Sequence, residues 1–216
     1  MSSEHPLLID DAAVVAVPIV ENGEPLVDLA GYAIDLAKGH PRVSGHADTR
    51  FWCRAAVAER LLRAGSSLPS GYRLAVAEAH RPLAVQRHHW ETDLAALRRE
   101  RPELSEAEAA AENAKLIAPP WIVPPHSTGG AVDVVLWDVT GEVAMGSQLN
   151  ERTPAMRTHF EPIDPLHRRH RRLLCEAMEG AGFVNYGHEW WHFSYGDRYW
   201  AHATDAGAAI YGGLEG

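Results

Sequence analysis

The sequence predicts an α+β fold in one domain, residues 1–216, and three observations carry that expectation. Strand-like and helix-like stretches mix along the chain without the regular alternation of a doubly wound sheet. No internal repeat and no linker-like stretch divides it. The 216 residues, 46% apolar and 23% charged, have the size and mix of a globular domain with its own core.

The elements follow in order. Residues 12–20, rich in Val and Ile and stopped near Pro18, read as a strand. Residues 21–48 carry Gly, Pro and Asp and read as irregular. Asp48 or Thr49 can cap a helix running to about Ala64. Phe51, Trp52, Ala55, Ala58, Leu61 and Leu62 keep helical spacing there, and Gly65 ends it. Residues 72–79 read as a strand, followed by helices over about 83–100 and 105–117. The second opens with the capping box Ser105-x-x-Glu108. Pro119, Pro120, Pro124 and Pro125 then force an extended loop. Residues 130–137 read as a strand. Asp164-Pro165 starts a helix that ends near residues 180–182. Residues 183–186 and 190–195 read as two closing strands.

Bulk features narrow the function classes. The formal charge is −9, so binding to a phosphate backbone is disfavoured. No apolar run reaches the ~18–20 residues that span a bilayer. The first residues, MSSEHPLLIDD, are acidic where a signal peptide would be basic, so a cytoplasmic protein is expected. Cys53 and Cys175 are the only cysteines, too few for a disulfide scaffold or a Cys-type zinc module. Both sit in helix-like apolar patterns and read as small buried side chains. The 13 histidines are in excess and ask to be placed, since His is the commonest metal ligand.

The first histidine motif is Pro125-His126-Ser127-Thr128-Gly129-Gly130-Ala131-Val132-Asp133. Fully extended, His126 and Asp133 would be ~23 Å apart. Gly129 and Gly130 can adopt the positive φ of a tight reversal and bring them together. Imidazole and carboxylate both suit zinc. Asp133 also interrupts a run, Ala131 to Trp137, that reads as buried, and a buried carboxylate must be paired or bound to a metal. A turn with a hydrogen-bonded Asp accounts for the same residues, and both readings stand.

The second motif, Gly187-His188-Glu189-Trp190-Trp191-His192-Phe193, formally matches the zincin helix pattern H-E-x-x-H. Its context is strand-like: a preceding Gly, two Trp, and Tyr195-Gly196-Asp197 just beyond. On a strand, His192 can be a ligand and Glu189 a base, while His188 is a bystander. A third element, Glu78-Ala79-His80-Arg81-Pro82, closes a strand. A guanidinium there could hold a carboxylate or a developing oxyanion, although most arginines are surface charge.

Together these motifs resemble the VanX-type D-alanyl-D-alanine dipeptidases, zinc peptidases of the hedgehog/DD-peptidase fold. The family shows a strand ending in an acidic residue, two residues and Arg-Pro, then S-x-H-x-x-G-x-A-x-D, then E-x-W-H. This chain supplies Arg81-Pro82, His126-x-x-Gly129-x-Ala131-x-Asp133 and Glu189-Trp190-Trp191-His192, and the likeness is good from about residue 72 to 201. The resemblance implies a small antiparallel sheet flanked by helices. It also implies one zinc per chain on His126, Asp133 and His192, with a fourth position open. Glu189 would be the general base and Arg81 would steady the oxyanion. The expected partner is a small peptide or amide substrate, with neither nucleic acid nor membrane.

The departures fall among the groups that hold substrate. Pro124 replaces the Ser two before the first ligand, and Glu78 replaces the more usual Asp. The family's M-G-x-x-F-D, whose Asp helps hold the substrate's free amine, is here Met145-Gly146-Ser147-Gln148-Leu149-Asn150. Glu151-Arg152 follows at once, and Glu151 could replace the missing carboxylate. Tyr32 falls where the family has a pocket tyrosine, without the usual Asn-Phe after it. A substrate other than D-Ala-D-Ala, lacking a free amine or differing in size, is therefore expected.

Two other classes remain in view. Two His and one carboxylate also form the facial triad of non-haem Fe(II) enzymes, so a repurposed biosynthetic enzyme is one alternative. A non-catalytic binding protein is the other, and the retained Glu189 speaks against it. The basic run from His167 to Arg172 lies in a helix whose core face is Leu166, Leu173, Leu174 and Ala177, and reads as a solvated face. His88 and His89 read as surface or packing residues beside Trp90, and His46, His159 and His202 have no partner that can be named from sequence.

Overall fold

A computed structural model describes residues 7–43 and 50–214. The Asp48 and Thr49 caps and His46 lie outside the described residues. Asp11 caps a short helix, α1 (Ala12–Val15), by accepting the Ala13 N–H. This corrects the strand expected over residues 12–20. The β-branched residues there are outweighed by the cap and by Val14, which is buried with Tyr186 and Tyr199 in a small cluster.

Three short strands follow, β1 (Leu26–Asp28), β2 (Asp35–Leu36) and β3 (Trp52–Arg54). β1 and β3 form an antiparallel ribbon in which Asp28 opposes Trp52 and Val27 opposes Cys53. That pairing takes Trp52 and Cys53 out of the expected helix. The helix α2 (Ala55–Ser67) starts later, runs through Gly65, and buries Val57, Ala58, Leu61 and Ala64. β4 (Arg73–Glu78) leads to α3 (Leu83–Glu100) and α4 (Glu106–Ala114). The Ser105–Glu108 capping box is fully formed at the start of α4. β5 (Ala131–Asp138), β6 (Gly141–Glu142) and α5 (Pro165–Gly180) come next, with Asp164 capping α5 through the Leu166 N–H. β7 (Val184–Asn185), β8 (His192–Ser194) and α6 (Arg198–Ala203) close the described chain.

The fold is α+β. The main sheet has the order β2-β4-β5-β8-β7, with β6 paired to β5. Its pairings are antiparallel except β2–β4, which is parallel, so the sheet is mixed rather than antiparallel throughout. The main core packs Val132, Val134 and Leu136 of β5 with Leu61 of α2, Leu174 and Met178 of α5, and Trp190, Trp191 and Phe193.

The basic run of α5 needs a second correction. Arg171 and His170 are buried, while Leu166 is 52% exposed. Arg171 donates to the carbonyls of Met145, Ala155, Arg157 and Thr158, gathering the segment between β6 and α5 around one buried guanidinium. Burial lowers its pKa to about 10. Among the described residues, no helix is long and apolar enough to cross a membrane.

Candidate metal centre and active site

Strand register builds the centre. Asp133 of β5 opposes His192 of β8 on one side and Glu78 of β4 on the other. The Glu78 pairing depends on an irregularity between Val76 and Glu78. Regular alternation from Val76↔Val134 would set Ala77 against Asp133. The extra residue re-aims the strand end so that Glu78 shares the Asp133 face.

His126 arrives by a turn. Pro124 stands before a 3₁₀ turn, Pro125–Thr128, closed by Gly129 at φ 71°. Gly130 needs no positive φ; it is small because the backbone passes close by. A Cβ there would lie 2.3 Å from the Tyr195 carbonyl oxygen. Buried Arg54 fixes the turn from behind. Its Nε donates to Thr128 O at 2.8 Å and its backbone N–H to Gly129 O at 2.9 Å.

The ligand atoms of His126, Asp133 and His192 all lie within 4.8 Å of one another, and all three residues are buried. His126 Nε2 is 3.3 Å and His192 Nδ1 3.1 Å from Asp133 Oδ1. Two donors on a tetrahedral zinc, bonded at about 2.0–2.1 Å, stand roughly 3.3 Å apart, so the spacing suits such an ion. The tautomer gives a second test of fit. His126 Nδ1 is 2.7 Å from Ala79 O, which can only accept, so Nδ1 carries the proton. A neutral ring then turns a bare lone pair at Nε2 toward the Asp133 oxygen. Only a proton or a cation between them relieves that contact, so the residues fit a metal ion.

The electrostatics agree. Burial alone would raise the Asp133 pKa, but the His126 and His192 rings outweigh it and hold the carboxyl far below its usual range. Burial lowers His192. Burial also acts to lower His126, but the Asp133 carboxylate outweighs it, and the net shift is upward. Glu189 is 6% exposed, and its Oε2 is 3.9 Å from His192 Nδ1. Burial first, then the Asp133 charge, push its pKa well above the carboxylate range. It is a buried carboxyl beside the ligands.

Arg81 is aimed by a bidentate pair. Its Nε and Nη2 donate to the two Glu78 oxygens at 2.8 and 2.6 Å, and Nη1 donates to Gln86 Oε1 at 2.8 Å. Gln86 is anchored in turn through Nε2 to Ala118 O. Nothing in the sequence reading singled out Gln86. The signal was its spacing, four residues before Trp90 on the buried face of α3.

Glu78, Arg81, His126, Asp133, Glu189 and His192 all line one cavity of about 720 Å³. Asn150 lines it too, at φ 56°, its Nδ2 donating to Arg42 O. Arg42 also lines it and donates to the carbonyls of Leu149 and Asn150. Tyr32 and Glu151 are not among the lining residues. Tyr32 packs on the main core, and Glu151 Oε2 accepts the Gln148 N–H at 2.7 Å. His88 and His89 also line the cavity, and His188 packs its ring near Tyr186. None of these three belongs to the ligand cluster.

Residues 39–206 match the peptidase family described as D-ala-D-ala dipeptidase. With that match and the site geometry, the class of protein is a metallopeptidase, a hydrolase. More narrowly, the chain belongs to the D-ala-D-ala dipeptidase family. It is 30% identical to a D-alanyl-D-alanine dipeptidase of Synechocystis sp. (strain ATCC 27184 / PCC 6803 / Kazusa), over 93% of this chain and 96% of the relative. It is 28% identical to a D-alanyl-D-alanine dipeptidase of Escherichia coli (strain K12), over 57% of this chain and 55% of that one. Among solved structures, VanYB in complex with D-alanine-D-alanine aligns with a TM-score of 0.49 at 16% identity, covering 87% of this chain and 91% of that chain.

Proposed function

We propose that this chain is a zinc-dependent dipeptidase acting on a D-Ala-D-Ala-like dipeptide or related small amide. His126 Nε2, a carboxylate oxygen of Asp133 and His192 Nδ1 would hold one zinc ion. The observation that carries the reading is the buried cluster of His126, Asp133 and His192, whose ligand atoms lie within 4.8 Å of one another, with His126 Nδ1 occupied by Ala79 O and Nε2 facing Asp133 Oδ1 at 3.3 Å. Zinc in such a site supplies Lewis acidity to a water and to the scissile carbonyl.

The chain's own groups supply the rest. Glu189 takes a proton from the attacking water and returns it to the leaving amine. Arg81, held by Glu78 and Gln86, steadies the developing oxyanion through its remaining N–H groups. The two cysteines are unpaired, which fits a reducing compartment, and the cytoplasm is the proposed location.

The substrate pocket supports a diverged specificity. Asn150 stands where the family has an amine-binding carboxylate, and its amide is tied to Arg42, a cation lining the same cavity. Losing one charge-assisted contact to an ammonium weakens binding by ~1.5–3 kcal/mol, or about 10- to 150-fold. The favoured substrate therefore lacks a free amine at that position or differs in size.

Metal analysis and hydrolysis of a dipeptide panel test this. The expected result is one zinc per chain and cleavage of a short D,D-peptide, with a higher kcat/KM on an N-acylated substrate than on D-Ala-D-Ala. Full efficiency on D-Ala-D-Ala would sink the altered specificity. Iron with oxygen-dependent turnover would sink the hydrolase and favour a facial-triad enzyme.

A further inference from the structure

Three buried polar atoms within six residues make no hydrogen bond of good geometry among the described residues: His192 Nε2, Ser194 Oγ and Asp197 Oδ2, although the Ser194 hydroxyl stands near enough to Asp197 to favour its charged form. Their residues are 3%, 0% and 1% exposed. Buried polar groups rarely stay unpaired, so the three call for a common explanation.

His192 turns Nδ1 toward Asp133 and Glu189, at 3.1 and 3.9 Å. When Nδ1 gives its lone pair to a cation, the ring proton must sit on Nε2, which is then a donor. Ser194 is two residues along β8, on the same face as His192. Asp197 stands at the N-terminus of α6, where Oδ1 accepts the Trp200 N–H at 2.9 Å. That leaves Oδ2 as a spare acceptor. Ser194 thus shares the face of His192 and its hydroxyl reaches toward Asp197, and a site with three such partners can hold one ordered water.

We propose that Asp197 is a positioning residue for His192. Its Oδ2 accepts the Nε2–H, through the Ser194 hydroxyl or one buried water, and so turns Nδ1 toward the cation. This rests on the metal-site part of the function proposed above. A carboxylate behind a ligating imidazole fixes its tautomer and raises its basicity.

The competing role is helix capping alone, and Asp197→Asn separates the two. Asn caps as well as Asp. With its oxygen on the Trp200 N–H, however, its amide turns a donor toward another donor at His192. Asp197→Ser keeps a cap and removes the second oxygen. Zinc affinity, read by competition with a chromogenic chelator, should fall about 10- to 100-fold in both variants. Helix content by circular dichroism should be unchanged. Zinc affinity within twofold of wild type in both would leave Asp197 a cap and overturn the proposal.

A second measurement uses the wild-type protein, in case the variants fold poorly. With ¹⁵N-labelled histidine and zinc bound, His192 should show an exchange-protected Nε2–H. A proton on Nδ1 instead would overturn the proposal. Wild-type protein that takes up no zinc would overturn the metal site and this proposal with it. Tight wild-type binding with indifferent variants would overturn this proposal alone.

Discussion

Asp133 and His192 are directly opposed across β5 and β8, and their facing atoms, Oδ1 and Nδ1, are 3.1 Å apart. The two residues are 59 positions apart in sequence. Their meeting is set by backbone register, so a slip of one residue would turn one of them to the opposite face of the sheet. The same register line continues to Glu78, which holds Arg81. A metal centre and its cationic neighbour are thus laid out along a single row of the sheet.

Removing a ligand from that row should remove the metal. His126→Ala and Asp133→Asn each leave two donors, too few for a tight structural or catalytic zinc site. Zinc content by mass spectrometry should fall from about one per chain to a small fraction. His188→Ala should keep its zinc, because His188 stands outside the ligand cluster. Zinc that survives His126→Ala but is lost in His188→Ala would restore a zincin-like arrangement.

Glu189→Gln should separate chemistry from metal binding. Gln matches Glu in shape and cannot accept a proton, so zinc should remain while kcat falls about 10²- to 10⁴-fold. KM should change little. Steady-state kinetics on zinc-loaded protein checks this; unchanged kcat would remove Glu189 from the general-base role, and no turnover in the wild type would favour a binding protein.

Arg81 should prove irreplaceable by lysine. Its fork makes two bonds to Glu78 and one to Gln86, and an ammonium cannot span that geometry. Arg81→Lys should lower kcat about 10²- to 10³-fold, the usual effect of losing an oxyanion donor. Gln86→Leu, which loosens the fork without removing it, should show a smaller loss in kcat with zinc content unchanged.

Much of this was legible in the sequence because the signals were local. Ser105–Glu108, Asp164-Pro165 and the run before Glu78 carry their own caps and periodicity. The ligand motifs were legible because residue type and order along the chain mark them. Contacts with distant partners were not. Trp52 and Cys53 follow helical spacing but pair with Asp28 and Val27, and no property of residues 51–54 announces that ribbon. Val14 sits in a Val- and Ile-rich run that reads as a strand, until Asp11 caps it and Tyr186 and Tyr199 cover it. Arg171 reads as one basic residue among several; only the fold brings four loop carbonyls to it. The backbone shift before Glu78 is likewise invisible until β4 meets β5.

The close approach at Gly130 makes a stability prediction. A methyl there would overlap the Tyr195 carbonyl oxygen at 2.3 Å and touch Thr128 and Tyr211 at 3.0 Å. The Tyr195 N–H also donates to Gly130 O, so the overlap falls where β5 and β8 begin to pair. Gly130→Ala should cost at least the ~1–3 kcal/mol of an overpacked core. It should also weaken zinc binding, since parting these strands moves His192 from Asp133. Chemical denaturation and a chelator titration of the same variant would show whether both losses occur together.

Arg54 should matter more for stability than its ion pair suggests. Its guanidinium is 3% exposed and meets Glu21, which is 40% exposed. Water can rehydrate Glu21, but Glu21→Gln leaves the buried guanidinium without its counter-charge, so the cost should exceed the roughly 1 kcal/mol of a fully exposed ion pair. Arg54→Ala instead strips the donors from the carbonyls of Thr128 and Glu24. The Thr128 carbonyl is buried, and a buried acceptor left unsatisfied costs about 1–3 kcal/mol, while water can reach the half-buried Glu24 carbonyl. The expected loss is therefore at least about 1–3 kcal/mol. A chain of this size loses about 2–4 °C of melting temperature per kcal/mol, so the shift should exceed about 2 °C. Thr128 also belongs to the turn that presents His126, so bound zinc should recover part of the lost stability. Melting curves of Arg54→Ala with and without zinc should differ by more than those of wild type. An equal zinc-dependent shift in both proteins would show that Arg54 supports the fold without shaping the metal site.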